Sequence, residues 1–137
     1  LIYDHGHLDE HKEIINKVID ELIMDFGLRT WGTTAWEMCA VAAGSVDAFI
    51  CVGDKLWDFA AAMCIVQEAG YLFTDWQGRP WDNSTSYILA AHPAVHKVIL
   101  NKVRGLDAKI KKSIAHLAAP GFASSLNLAE KKQNGLV

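Results

Sequence analysis

The sequence predicts an α/β domain in which a layered sheet is flanked by helices. Two observations predict it: apolar residues at helical spacing alternate along the chain with short runs that are continuously apolar, and glycines separate the two kinds of segment. The chain has 137 residues, of which 51% are apolar and 21% charged. This balance excludes a disordered chain, and the length corresponds to one domain with a single core.

The first predicted elements are the end of a strand at residues 1–3, a turn at residues 4–7 and a helix over residues 9–26. The helix is predicted by an apolar stripe that recurs at a spacing of three and four residues, made by Ile14, Ile15, Val18, Ile19, Leu22, Ile23 and Phe26. Two acidic residues favour its start, where the helix dipole is positive. Gly27 is predicted to end it.

The remaining elements continue to mix helices and strands. The predicted elements are a helix at 34–43, a strand at 46–52, a helix at 58–69, strands at 71–74 and 86–91, and a last helix from Pro93 to Gly105. Residues 1–104 are therefore predicted to form the domain. Residues 105–137 carry a weaker pattern, and for them we predict a mobile tail with one short helix.

Charge and cysteine content limit the classes of partner. The net charge is −3, without the basic excess that a nucleic-acid backbone requires, so no nucleic-acid partner is expected. No stretch of 18 apolar residues predicts a membrane span. Cys39, Cys51 and Cys64 lie in apolar runs without a CxxC pair, which predicts reduced core thiols in a cytoplasmic protein. The chain begins at Leu1 rather than Met, from which we expect a fragment or a processed protein.

Asp58 follows the turn at residues 53–56 and starts a predicted helix. A carboxylate at this place is typical of a helix cap. It is also a candidate ligand for Mg²⁺, which binds one or two carboxylates together with waters and substrate phosphate. Lys55, three residues earlier, is either solvated or placed to meet a phosphate. A single aspartate does not complete a metal site, so both interpretations of Asp58 stay open.

Gly32, Thr33 and Thr34 precede the second predicted helix. Their backbone N–H groups and two hydroxyls suit an anion or a polyol, although the same three residues are also typical of an ordinary N-cap. His92 and His96 are four residues apart, a spacing that can bind a metal on one face of a helix. Because the first of these precedes a proline, it lies before the helix proper, and we expect a structural role for both histidines.

A longer pattern resembles the C-terminal half of the inositol monophosphatase family. It begins with Gly32-Thr33-Thr34-Ala35 and continues with Trp57-Asp58-Phe59-Ala60-Ala61 and Ile65-Val66-Gln67-Glu68-Ala69-Gly70. These motifs are specific because many fixed positions recur in order, and the resemblance covers residues 1–104. The turn at residues 74–78 is similar to that of the histidinol-phosphatase branch.

The resemblance implies a Mg²⁺-dependent, Li⁺-sensitive phosphomonoesterase, usually a homodimer, that acts on a small phosphorylated metabolite such as an inositol, sugar or histidinol phosphate. It implies that Asp58 is a metal ligand, that segment 32–34 lies beside the substrate, and that the turn around Lys55 borders the substrate pocket. The implied reaction is in-line attack on phosphorus by a metal-activated water. Cys51 stands at a substrate-binding position that is Glu in inositol-specific members, which argues against inositol phosphate.

The family's other metal carboxylates come from a Glu-Glu pair and an Asp-Pro-x-Asp-Gly segment of an N-terminal half, and neither motif occurs in this sequence. Two hypotheses follow. The chain is a piece of a Mg²⁺-dependent phosphatase, inactive by itself, that needs its missing half or a further copy. Alternatively, it is a non-catalytic binding or assembly module derived from that family.

Overall fold

The fold is the predicted α/β arrangement. In the computed structural model, residues 1–117 are described by their backbone, and residues 1–104 and 106 also by their side chains. The elements are β1 (Ile2–His5), α1 (Asp9–Leu22), α2 (Thr34–Ala42), β2 (Ala48–Val52), α3 (Leu56–Glu68), β3 (Leu72–Thr74), β4 (Tyr87–Ala91) and α4 (Pro93–Leu117). Residues Leu1–Leu106 form one compact unit, which holds the sheet and the candidate site. A second unit comprises Asp107–Val137, of which the described part is the end of α4.

The four strands form one mixed sheet in the order β1-β2-β4-β3. Strand β1 runs parallel to β2, whereas β4 is antiparallel to both β2 and β3. All five residues of β2 are buried, as its continuous apolar run predicts for a central strand. Since β1 and β2 are parallel, their carboxyl ends meet at the same edge of the sheet.

The main core lies between the sheet and helices α2 and α3. Its buried side chains include Met38 from α2, Phe49 from β2 and Phe59 from α3. Small residues in α2 and α3 let these two helices pack closely against each other. Because side chains alternate along a strand, Ile50 points to the opposite face of the sheet, where α1 contacts β1 and β2.

The largest differences from the predicted boundaries are at β1, α1 and α4. Strand β2 begins two residues later than predicted, and α3 begins two residues earlier. Strand β1 extends through residues 4 and 5, which had been expected in a turn, because Asp4 and His5 continue the pairing opposite Cys51 and Val52. Helix α1 ends at Leu22 rather than at residue 26, and the apolar side chains that follow it directly are exposed, so the predicted stripe outlasts the helix.

Helix α4 is longer than predicted, since it passes through Gly105 and ends at Leu117. A glycine inside a helix costs only about 1 kcal/mol relative to alanine, which is too little to end a helix whose neighbours favour it. The part of the predicted tail at residues 118–137 lies outside the described residues. Within the described part of the chain, no helix combines the length and the apolar character that crossing a membrane requires.

Candidate active-site cleft

A cleft of about 680 Å³ opens at the carboxyl edge of β1 and β2. Three connections line it: the one after β1, the one before α2 and the one between β2 and α3. The lining residues are Asp4, His5, Gly6, His7, Leu8, His11, Gly32, Thr33, Thr34, Ala35, Gly53, Asp54, Lys55 and Asp58. The sheet topology explains this meeting, because side chains that follow parallel strands collect at one edge.

Two helices begin at the cleft. Helix α2 begins at Thr34 and α3 begins at Leu56, so the free N–H groups and positive dipole ends of both face this region. Thr33 is the N-cap residue of α2, but its side chain makes no capping hydrogen bond. Thr33 therefore occupies the N-cap position without making the hydrogen bond of an ordinary N-cap. Its hydroxyl is exposed at the cleft.

Asp58 is the third residue of α3, and its side chain is exposed at the cleft. Its Oδ2 accepts a hydrogen bond of 3.0 Å from the backbone N–H of Lys55, which confirms the capping role that its position predicts. A carboxylate has about four lone-pair positions, so one capping bond leaves it able to bind a ligand as well. Lys55 also lines the cleft with an exposed side chain.

The hydroxyl of Thr34 connects two aspartates. Its Oγ1 lies 3.3 Å from Oδ2 of Asp4 and within hydrogen-bond distance of Oδ2 of Asp54. One hydroxyl carries one hydrogen, so it donates to only one of the two carboxylates at a time. Thr34 is buried, and its hydroxyl is therefore committed to this cluster rather than presented to a ligand.

Cys51 does not line the cleft. It is fully buried in β2, and its thiol donates a hydrogen bond to Asp54, three residues later. Burial raises the pKa of the Cys51 thiol well above its usual value, so the thiol keeps its proton. Burial also raises the pKa of Asp54, while the hydrogen bonds from Thr34 and Cys51 oppose that rise. The carboxylate that reaches the cleft from this turn is thus Asp54, whereas Cys51 supports it from below.

His11 of α1 lies against the backbone of two glycines. A side-chain carbon on Gly6 or on Gly53 would overlap the imidazole ring, and Gly53 also adopts a φ of +97°. Both positions therefore require glycine for space, and Gly53 requires it for conformation as well. The Nδ1 atom of His11 is buried without a hydrogen-bond partner, and burial lowers the pKa of this histidine.

The structure brings Gly32, Thr33, Thr34, Lys55 and Asp58 together around this cleft. Sequence reasoning missed other polar groups that line the cleft or lie near it. Asp4 and Asp54 had been read as parts of turns, and Glu37 and His11 had not been singled out. The sequence did carry a signal for the two aspartates, because Asp4 lies near the end of one apolar strand and Asp54 follows another. These two strands are parallel, so both residues lie at the same edge of the sheet. No comparable signal marks Glu37, which lies inside a predicted helix.

The other candidate groups have structural roles. His96 is buried, and its Nε2 donates to Thr74 Oγ1 at 2.7 Å, because that hydroxyl itself donates to a backbone carbonyl at 2.9 Å. His92 is exposed, and its ring packs edge-on against Tyr71, so the two histidines do not form a metal pair. All three cysteines are free, but Cys64 is exposed, so the prediction that it is a core thiol was wrong.

Comparison with known proteins identifies the family. The model of the inositol monophosphatase family matches residues 1–108. The chain belongs to this family. A Nus factor SuhB from Pasteurella multocida is 41% identical over 88 residues, which are 64% of this chain and 33% of that protein. An inositol-1-monophosphatase from Bacillus subtilis is 33% identical over 95 residues, covering 68% of this chain and 36% of that protein.

Solved structures of inositol monophosphatase fold agree with this assignment. The extragenic suppressor protein suhB from Bartonella henselae superposes with a TM-score of 0.68 at 27% identity, over 74% of this chain and 41% of that one. The inositol monophosphatase from Thermotoga maritima gives 0.67 at 24% identity, over 80% and 42%. The chain spans about a third of the length of the curated relatives it matches.

Proposed function

We propose that this chain supplies the C-terminal half of the active site of a Mg²⁺-dependent phosphomonoesterase. The observation that carries the proposal is the place of Asp58, whose exposed carboxylate lies at a cleft where two helices begin. Membership of the inositol monophosphatase family supports the reaction class. In this role Asp58 is a metal ligand as well as the cap of α3.

The donor set at the cleft fits part of a Mg²⁺ site. Asp58, Asp54 and Asp4 offer carboxylate oxygens, which are the ligands that this hard cation prefers. Among the described residues, however, no group of three or more His, Cys, Asp or Glu side chains is arranged to hold a metal. In this proposal Asp58 contributes one ligand, and the further ligands come from outside the described residues. When bound, the metal stabilises negative charge on the phosphoryl group and its leaving oxygen.

The chain's own residues bind and orient the substrate in this proposal. The N–H groups at the starts of α2 and α3 and the ammonium of Lys55 attract the phosphate. The backbone of Gly32 and the hydroxyl of Thr33 lie beside the organic part of the substrate, and Asp54 accepts hydrogen bonds from its hydroxyls. Cys51 acts only by holding Asp54, which differs from the direct substrate contact that the resemblance implied.

The proposed substrate is a small phosphorylated metabolite, with inositol, sugar and histidinol phosphates as the candidates. Within this proposal the chain works in the cytoplasm, as its three unpaired cysteines suggest. It assembles with the missing half of the family's fold or with further copies of itself, and it binds neither nucleic acid nor membrane. The compact domain is proposed to end near residue 104, close to the end of the first unit at Leu106.

A second candidate function is a non-catalytic binding or assembly module. The incomplete set of metal ligands among the described residues favours it. Both candidates use the same cleft, so phosphate binding alone does not separate them. Turnover does.

The test is phosphate release from the three candidate substrates, with and without Mg²⁺. It is measured on this chain and on the protein encoded by its complete reading frame. We expect Mg²⁺-dependent release by the complete protein, lowered at least about a hundredfold by Asp58→Asn, because one charged metal ligand is lost. Asp82→Asn, at an exposed position outside the cleft, is the control and leaves the rate unchanged. Absence of turnover by the complete protein would favour the module.

A further inference from the structure

Glu37 makes an unusual connection inside the unit. It is the fourth residue of α2, and its side chain is fully buried. Its Oε1 accepts hydrogen bonds from the backbone N–H of Trp31 at 2.6 Å and from that of Gly32 at 3.2 Å. The carboxylate thus reaches back past the start of its own helix to the segment that precedes it.

Thr34 at the end of that segment is held through its hydroxyl by Asp4 and Asp54, whereas residues 31–33 have fewer contacts that fix their shape. Gly32 has a φ of +70°, a conformation that side-chain-bearing residues rarely adopt. Thr33 makes no capping bond. On the outside, the rings of Trp31 and Trp36 pack edge-to-face with centroids 4.3 Å apart. The segment is therefore fixed on its outer side by the contact between Trp31 and Trp36, and on its inner side by the buried carboxylate of Glu37.

The second oxygen of Glu37 is the unexplained part of this arrangement. Oε2 is buried and has no hydrogen-bond partner within the described part of the chain. Burial is the largest cause that raises the pKa of Glu37, to about 7, while the two backbone N–H groups oppose the rise. The charges that face it are Asp4 at the end of β1 and Asp54 after β2, and both raise its pKa further.

We propose that Glu37 is the positioning residue of segment 31–34, holding Trp31 and Gly32 so that Thr33 and the start of α2 meet the ligand. The bonds from Glu37 are strongest when the carboxyl is ionised, since charged acceptors bind N–H groups more tightly than neutral ones. Protonation of Glu37 therefore weakens its hydrogen bonds with the backbone of Trp31 and Gly32. The proposal that this segment meets a phosphate ligand rests on the proposed function. The proposal that Glu37 positions the segment does not.

The experiment follows backbone amide resonances of the ¹⁵N-labelled chain between pH 5 and pH 9. In the wild type we expect the amide protons of Trp31 and Gly32 to shift together with a midpoint near the pKa of Glu37, about 7. Glu37→Gln keeps an acceptor oxygen but does not titrate, so both shifts become independent of pH around 7. Glu68→Gln, at the exposed end of α3, is the matched control and keeps the wild-type titration.

Glu37→Met tests the hold itself, because it keeps the length of the side chain and removes the acceptor. We expect the amides of Trp31 and Gly32 to exchange with solvent about tenfold faster or more, relative to the rest of the sheet. If the Met variant does not fold, the Gln variant decides. Amide shifts that titrate equally in wild type and Glu37→Gln, or that do not titrate in the wild type, overturn the inference.

Inorganic phosphate added to the same samples separates this inference from the proposed function. We expect phosphate to shift the amides of Thr33 and Thr34 in the wild type and in Glu37→Gln, with affinity lowered at least about tenfold in Glu37→Met. If phosphate shifts no cleft amide in the wild type, the chain's proposed phosphate contacts fail. The pH titration of Trp31 and Gly32 still decides whether Glu37 positions the segment.

Discussion

Two buried acidic side chains show opposite ways of holding a carboxylate inside this protein. Asp75 begins the turn between β3 and β4, and its oxygens accept bonds from the backbone N–H of Gln77 at 2.8 Å and from that of Arg79 at 2.9 Å. The Arg79 guanidinium completes the set with Nε and Nη2, each at 2.6 Å. Glu37, below the cleft, has two amides on one oxygen and none on the other.

The difference separates a stabilising site from one that carries a cost. Asp75 has a counter-charge from Arg79 and hydrogen-bond donors on both of its oxygens. Glu37 forms no ion pair with any described residue, and two further carboxylates, Asp4 and Asp54, face it. Burying a polar atom without a partner costs about 1–3 kcal/mol. The turn at Asp75 carries no such cost, because both of its oxygens have partners.

The largest expected effect is at Asp75. Asp75→Ala leaves the N–H groups of Gln77 and Arg79 without their acceptor, and we expect the free energy of unfolding to fall by about 3 kcal/mol. Urea denaturation followed by circular dichroism measures it. Asp82→Ala, at an exposed position in the following loop, is the matched control. It removes one exposed hydrogen bond, from the backbone N–H of Ser84, and should lower the free energy of unfolding much less than Asp75→Ala does. A loss equal to that of the control would contradict the comparison.

Glu37 should show an intermediate effect that depends on pH. Because its pKa is raised to about 7, the native state binds more protons than the unfolded state between about pH 4.5 and 7. Its stability contribution is therefore present at low pH and lost as the pH rises through 7. Relative to Glu37→Gln, the wild type should lose about 1–3 kcal/mol across this range, measured by urea denaturation at each pH. If the free energies of unfolding of the two proteins change with pH in the same way, Glu37 does not differ from Asp75 as we infer.

The smallest effect is expected at His96, near the satisfied turn. Burial, followed by the charge of Arg104, lowers the pKa of His96 below its usual value of 6.5. The unfolded state therefore binds more protons just below pH 6.5, so the contribution of His96 is present above that pH and lost as the pH falls. His96→Gln, which retains a donor to Thr74, should remove this slope in the same denaturation series. A variant with the wild-type slope would refute the assignment.

Much of the fold was accessible from the sequence. The continuous apolar run at β2 and the stripe at α1 predicted a central strand and a surface helix, and both occur. The predicted end of α1 was wrong because the apolar residues directly after Leu22 are exposed. The spacing of apolar residues does not report which of them are buried. The end of α4 was wrong because Gly105 was taken as a stop, although its local cost is small.

The candidate site divides in the same way. Asp58 and segment 32–34 could be singled out from the sequence, because each lies at the start of a helix and helix starts are marked by residues close together in the chain. Asp4 and Asp54 lie far apart in the sequence, and the parallel pairing of β1 with β2 brings them together. Cys51 was assigned to the substrate from its position in a motif, but alternation along β2 turns it into the core.

By itself, the sequence determined the element types, the helix starts at the cleft and membership of a recognisable family, because these depend on neighbours along the chain. Tertiary structure decided which carboxylates share the cleft, which of them lacks a partner and which cysteine supports Asp54. The physical reason is that desolvation and charge repulsion depend on distances between segments remote in sequence, and the sheet register sets those distances.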